Sequence, residues 1–217
     1  MFKRIFRWLG RHTDKLGVDE ATADAWYEEK HAFLVQRLGA EHDMVMHALI
    51  PFAVGGTLDL YYFPRGIPGT AIATKELSEL PGEGPSNRDF DNYELVMFTR
   101  QPIDLDHARD EDHPFGRMHR NLNGVLNLIA RYAATATLNP YETCEFPEDM
   151  EGVGGKCLIF DAYPDSSGGR RLGLLAVIEI FRSEMEFKQE HGGQALLERL
   201  KEAGHYPYSD LDREPVA

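Results

Sequence analysis

Cysteine is scarce in this 217-residue chain, which contains only Cys144 and Cys157. A small secreted domain held together by disulfides would carry more cysteines. The spacing of the two residues also fits no zinc site, because such sites usually use closely spaced Cys or His pairs. One bridge could close the short loop between them, but we expect two reduced thiols in a cytoplasmic protein.

Long apolar runs and basic charge are also in short supply. No stretch of about 20 apolar residues could span a membrane, and the basic start of the chain is not followed by the apolar run of a secretory signal. The chain holds 36 acidic and 23 basic residues, for a net charge of −13. This balance argues against nucleic-acid binding, which depends on Lys and Arg neutralising phosphates. It suits solubility or attraction to a basic partner.

Catalytic motifs are missing as well. The segment 152–157 resembles a phosphate-binding loop, but Cys157 follows its lysine where Ser or Thr is required. There is no G-x-S-x-G elbow. His107, His113 and His119 are six residues apart, which is not the spacing that places two metal ligands on one helical face. We therefore expect no catalytic residue, no metal and no other cofactor. A metal-dependent hydrolase using these histidines and nearby carboxylates remains an alternative.

The first 15 residues differ in character from the rest. Five basic residues and one acidic residue are interleaved there with Phe2, Ile5, Phe6 and Leu9, which fall at helical spacing. The pattern predicts a short amphipathic basic helix that folds onto the acidic protein surface or contacts an anionic membrane. A peripheral membrane protein anchored by residues 1–11 is thus a second alternative.

Hydrophobic periodicity predicts the elements of the remaining chain. A helix from about residue 19 should end at Gly39, which divides the chain into an N-terminal segment, 1–39, and a single domain, 40–217. The clearest helix lies around 118–134, with apolar residues at i, i+3, i+4 and i+7. Another should begin with a capping box at 183–186 and be interrupted at Gly192–Gly193.

Strands are predicted between these helices, with no strict alternation of strand and helix. The runs involved are 44–52, 57–63, 71–74, 93–99, 157–163 and 172–181. The first two should pair in antiparallel fashion, and the last two should form a hairpin. We expect an α+β domain with a largely antiparallel mixed sheet, flanked by helices and preceded by the N-terminal helical extension.

The densest acidic cluster is the predicted partner-binding site. A charge run of this kind is usually a solvated loop, but it also suits docking of a basic partner, because opposite charges speed encounter. The cluster consists of Asp104, Asp106, Asp110, Glu111 and Asp112.

Three blocks of sequence resemble the suppressor of fused domain family. The first is GGTLDLYYFP at 55–64, and the second is NYELVMF at 92–98. The third runs from VIEIFRSEMEF through ALLERL at 177–200 and is followed by SDLDREPV at 209–216. Where members tend to have a Thr-Ser-Gly-Met-Ser turn, this chain matches only at Thr74 and Ser78. The family-matched residues, which look structural, are Asp59, Phe63, Pro64, Glu94, Leu95, Glu186, Phe187 and Arg213.

The resemblance implies a protein-binding module. Animal members of the family bind and restrain a transcription factor, whereas small bacterial members are thought to be immunity proteins that neutralise toxin domains. This short acidic chain looks more like the bacterial kind. The resemblance carries over no catalytic residue, and we expect a non-enzymatic cytoplasmic protein whose partner is a basic toxin domain.

Overall fold

The computed structural model describes residues 20–164 and 169–217. The predicted basic helix within residues 1–15 lies outside these residues. The helices are α1 (Glu20–Leu38), α2 (Pro114–Ala133), α3 (Arg182–His191) and α4 (Gly193–Glu202). The strands are β1 (Val45–Met46), β2 (Leu60–Phe63), β3 (Thr70–Ala73), β4 (Tyr93–Thr99), β5 (Thr143–Glu145), β6 (Cys157–Ala162) and β7 (Gly173–Ile180). No helix in this part of the chain is long and apolar enough to cross a bilayer.

The strands form a seven-stranded mixed sheet in the order β1-β2-β3-β4-β7-β6-β5. Every neighbouring pair is antiparallel except β4 and β7, which run parallel with Leu95 opposite Leu175. A parallel pair needs a long crossover, and here the crossover contains α2, β5 and β6. The α+β class and the largely antiparallel sheet are therefore confirmed.

Helices cover both faces of the sheet. Helix α2 packs on one face through a stripe that includes Leu122, Val125, Leu126 and Ile129. Helices α1, α3 and α4 cover the other face. Because both faces are covered, the central strands are buried along their whole length and read as nearly continuous apolar runs.

Helix α1 belongs to this folded unit. Trp26, Lys30, Leu34 and Leu38 recur at i+4 spacing and are all buried. The helix ends as expected at Gly39, whose positive φ of 82° suits glycine. The division of the chain at residue 39 stays a prediction.

Two local predictions need correction. The run 44–52 was expected to be a strand, but only Val45–Met46 pairs with β2, and Pro51 has no N–H with which to continue the ladder. Helix α3 begins at Arg182, and the carboxylate that caps it is that of Glu184, which accepts the Phe181 N–H at 2.9 Å. The capping box predicted at 183–186 therefore lies two residues earlier, at 181–184.

Candidate protein-interaction surface

The acidic cluster lies on the connection between β4 and α2. Ile103 and Leu105 on this connection pack against the core on the α2 side. Its end lies so close to α2 that a Cβ on Gly116 would come within 1.9 Å of the Asp110 carbonyl oxygen. The connection is thus a folded loop with a defined shape, held from beneath by apolar contacts.

Four carboxylates of this loop are exposed, and Asp104 is half-buried. The exposed residues are Asp106, Asp110, Glu111 and Asp112. Asp110 accepts the Asp112 N–H, which orders the tip of the loop, and Glu111 forms an exposed ion pair with Arg120 of α2. The structure therefore brings the five predicted residues together on one surface loop with a strong negative charge.

Two histidines contact Asp104 at one end of the loop. Asp104 lies 2.9 Å from the Nδ1 atom of His107 and 3.7 Å from the Nε2 atom of His113. The hydrogen bond from His107 holds the pKa of Asp104 below its usual value, and the same bond raises the pKa of His107. The two imidazole rings stack with their centroids 4.3 Å apart.

His119 is not part of this cluster. It is buried on α2, its Nε2 atom lies 2.7 Å from the Tyr62 hydroxyl, and its ring also bonds the backbone of Ala108. Burial lowers the pKa of His119 and keeps the ring neutral. The three histidines of the hydrolase alternative therefore do not form one site, because His119 is used inside the core.

An exposed apolar segment near strand β1 escaped the sequence reasoning. Met44, Leu49, Ile50 and Val54 are 59, 102, 58 and 45% exposed. The sequence signal that could have revealed them is an apolar run broken by a proline and followed by Gly55–Gly56. Exposed apolar side chains on one segment are typical of interaction surfaces.

Comparison with known proteins decides the family. The family model for Suppressor of fused protein (SUFU) matches residues 56–214. This chain belongs to the suppressor of fused family. The family is one of protein-binding modules, which confirms the resemblance described above. A search of curated protein sequences finds no match.

Two solved suppressor of fused structures share the fold. One is described as "the Sufu-Fu complex crystal structure"; it has a TM-score of 0.59 at 15% identity, over 90% of this chain and 92% of the other. The second is Drosophila Suppressor of Fused, with a TM-score of 0.52 at 16% identity, over 77% of this chain. This chain covers 46% of the Drosophila chain, so it corresponds to about half of that protein. At these identities the likeness is one of fold.

The family-matched residues in the first half of the suppressor of fused domain lie mainly inside the structure. Phe63 and Leu95 are fully buried. Glu94 is 1% exposed and accepts hydrogen bonds from Lys30 at 3.1 Å and from the Thr74 hydroxyl at 2.7 Å. Asp59 accepts the N–H of Ala48 and contacts His47, while Pro64 is half-buried after β2. These side chains hold strands and loops in place.

In the second half, Arg213 anchors the C-terminal tail. Its guanidinium forms a two-pronged ion pair with Glu184, at 2.5 and 2.8 Å, and Glu184 also accepts the N–H groups of Phe181 and Val216. The matched Glu186 is exposed, and Phe187 lies 4.1 Å from the Arg199 guanidinium. Sequence reasoning missed Glu184, two residues before Glu186, because only the fold shows which glutamate faces Arg213.

Proposed function

We propose that this suppressor of fused domain acts without catalysis, by covering part of a partner protein's surface. The observation that carries this proposal is the acidic loop 104–112, which displays four exposed carboxylates on a folded support. A rigid charged loop loses little conformational freedom when it binds, and this favours affinity.

We further propose an immunity-type role, in which the partner is a basic toxin domain in the cytoplasm. A toxin that cuts nucleic acid must carry basic side chains that hold the phosphates. An acidic protein can occupy the same surface, and its net charge of −13 speeds the encounter. The alternative of a membrane anchor in residues 1–11 stays a prediction, because those residues lie outside the described structure.

The test begins with capture of partners from host lysate at low and high salt. The rate of association with the captured partner is then measured for two triple variants that remove equal charge. One variant changes the loop, as Asp106→Asn, Asp110→Asn and Asp112→Asn. The control changes exposed glutamates elsewhere, as E83Q, E151Q and E202Q.

We expect the loop variant to associate at least about tenfold more slowly at low salt, and the control to change little. Equal effects of the two variants, or an association rate independent of salt, would refute the proposed docking loop. The immunity role is tested separately: expression of the captured partner should stop bacterial growth, and co-expression of this chain should restore it. A harmless partner would remove the toxin hypothesis and leave protein binding intact.

A further inference from the structure

Asp104, His107 and His113 direct their side chains towards one point at the start of α2. One potential ligand atom from each residue lies within 4.8 Å of the other two. The Asp104 Oδ2 atom is 2.9 Å from His107 Nδ1 and 3.7 Å from His113 Nε2. We propose that these three side chains form a binding site for a divalent transition-metal ion such as Zn²⁺.

The distances suit such an ion. Zinc lies about 2.0–2.1 Å from nitrogen and oxygen ligands in tetrahedral geometry, so two ligands of one ion are roughly 3.3 Å apart. The two distances from Asp104 bracket this value. One ring nitrogen of His107 and one of His113 lie within 4.8 Å of each other, so the side chains must close around the ion for all three to bind it.

The chemistry of the donors selects the class of metal. Two imidazole nitrogens and one carboxylate oxygen suit Zn²⁺, Co²⁺, Ni²⁺ or Cu²⁺. Mg²⁺ and Ca²⁺ prefer sites made entirely of oxygen ligands. Three protein ligands leave one tetrahedral position for water, which can enter because all three side chains are partly exposed, at 34–49%.

The exposed carboxylates of Asp106, Asp110, Glu111 and Asp112 give the loop around the site a negative charge. A negative surface raises the local concentration of cations and so favours their encounter with the site.

One local contact limits the affinity. The Nδ1 atom of His113 accepts the Phe115 N–H at 3.3 Å and caps helix α2. Metal coordination by Nε2 places the ring proton on Nδ1, and that cap bond is then lost. The site should consequently bind zinc far more weakly than a structural zinc site with four ligands.

The test uses the full chain without a polyhistidine tag, freed of metal by a chelator that is then removed. Zn²⁺ is titrated by calorimetry, and Co²⁺ is titrated while its visible absorption is recorded, because tetrahedral Co²⁺ absorbs strongly. The site variants are D104N and H107A. The matched controls are D106N, which removes the same charge from the same loop, and H191A, which removes an exposed histidine elsewhere.

We expect one ion per chain, the absorption of tetrahedral Co²⁺, and affinity about tenfold or more lower in D104N and H107A. The two controls should weaken binding far less than the site variants do, because neither Asp106 nor His191 supplies a ligand atom to the site. Circular dichroism checks that every variant is folded. The proposal is overturned if binding does not saturate, if D106N weakens it as much as D104N does, or if Mg²⁺ competes equally with Zn²⁺.

Discussion

Removing Arg213 from its ion pair with Glu184 should cost a large part of the stability of this fold, because the partner charge would stay buried. Glu184 is 0% and Arg213 is 4% exposed, so neither charge has water as an alternative partner. Arg213→Met would leave the Glu184 carboxylate buried with only two backbone donors. Removing one partner of a buried pair costs about 3–5 kcal/mol, a large fraction of the roughly 5–15 kcal/mol that stabilises a typical domain.

Equilibrium urea unfolding measures this loss of free energy directly, and thermal unfolding provides a second measurement. For a chain of this length, each kcal/mol lowers Tm by about 2–4 °C, so we expect Arg213→Met to lower Tm by roughly 6–20 °C. The matched control is Arg182→Met, at the start of α3. Arg182 is 49% exposed and pairs with Glu145 and Glu148 on the surface, so its loss should cost about 1 kcal/mol or less.

The dependence of stability on pH gives a second test of the same pair, because the pKa of Glu184 should shift in opposite directions with and without Arg213. Burial by itself would raise the pKa of Glu184, but the bonds from Arg213 and from the Val216 and Phe181 N–H groups hold it below its ordinary value of 4.5. The stabilisation is therefore complete above about pH 4.5 and is lost as the pH falls through the lower pKa of the folded state. Without Arg213, burial dominates and the pKa of Glu184 rises.

The stability deficit of Arg213→Met should consequently narrow between about pH 7 and pH 5, as the buried carboxyl takes up a proton. The double variant with Glu184→Gln should recover about 1 kcal/mol or more, because no buried charge remains. The reasoning is refuted if Arg213→Met costs no more than Arg182→Met, or if its deficit is independent of pH.

Three further outcomes follow from the packing around α2 and β7. The His119 ring should keep the NMR shifts of neutral imidazole below pH 6.5, because burial lowers its pKa; an ordinary titration there would contradict the buried position. Gly124→Ala should raise the free energy of unfolding by about 0.5–1 kcal/mol, because a helix favours alanine and the new methyl makes only an ordinary contact with Val153 at 3.6 Å. A lower free energy of unfolding in urea would show that there is no room for a methyl group beside Gly124. Gly173→Ala should lower it by about 1–3 kcal/mol, because the methyl would lie 2.1 Å from the Phe90 ring, and unchanged stability would mean that the ring can move away.

Local patterns predicted most of the helices and strands. The apolar stripe of α2 and the continuous apolar run of β2 are set by residues close together in sequence, so local patterns reveal them. The order of the strands is a different matter. Nothing in 93–99 or 173–180 indicates that these runs lie side by side in parallel, since that choice depends on how the whole crossover packs.

The buried polar contacts of the core could not be predicted from the sequence either. Lys30 lies midway along the buried stripe of α1. Because lysine is normally exposed, the residue type alone would predict a surface position here. Its ammonium group is satisfied by Glu94 and by the carbonyl oxygens of Lys75 and Ser78. These partners lie 45 to 64 residues away along the chain, which is why sequence spacing gives no sign of them.

The parallel contact between β4 and β7 also limits how early in synthesis, and how fast, the sheet can fold. Tyr93 pairs with Gly173, so the two halves of the sheet join only after a segment of about 80 residues has closed upon itself. Contacts this distant slow folding. During synthesis on the ribosome, the β4 edge of the meander β1–β4 stays unpaired until β7 has been made, and a chaperone could protect this open strand during that interval.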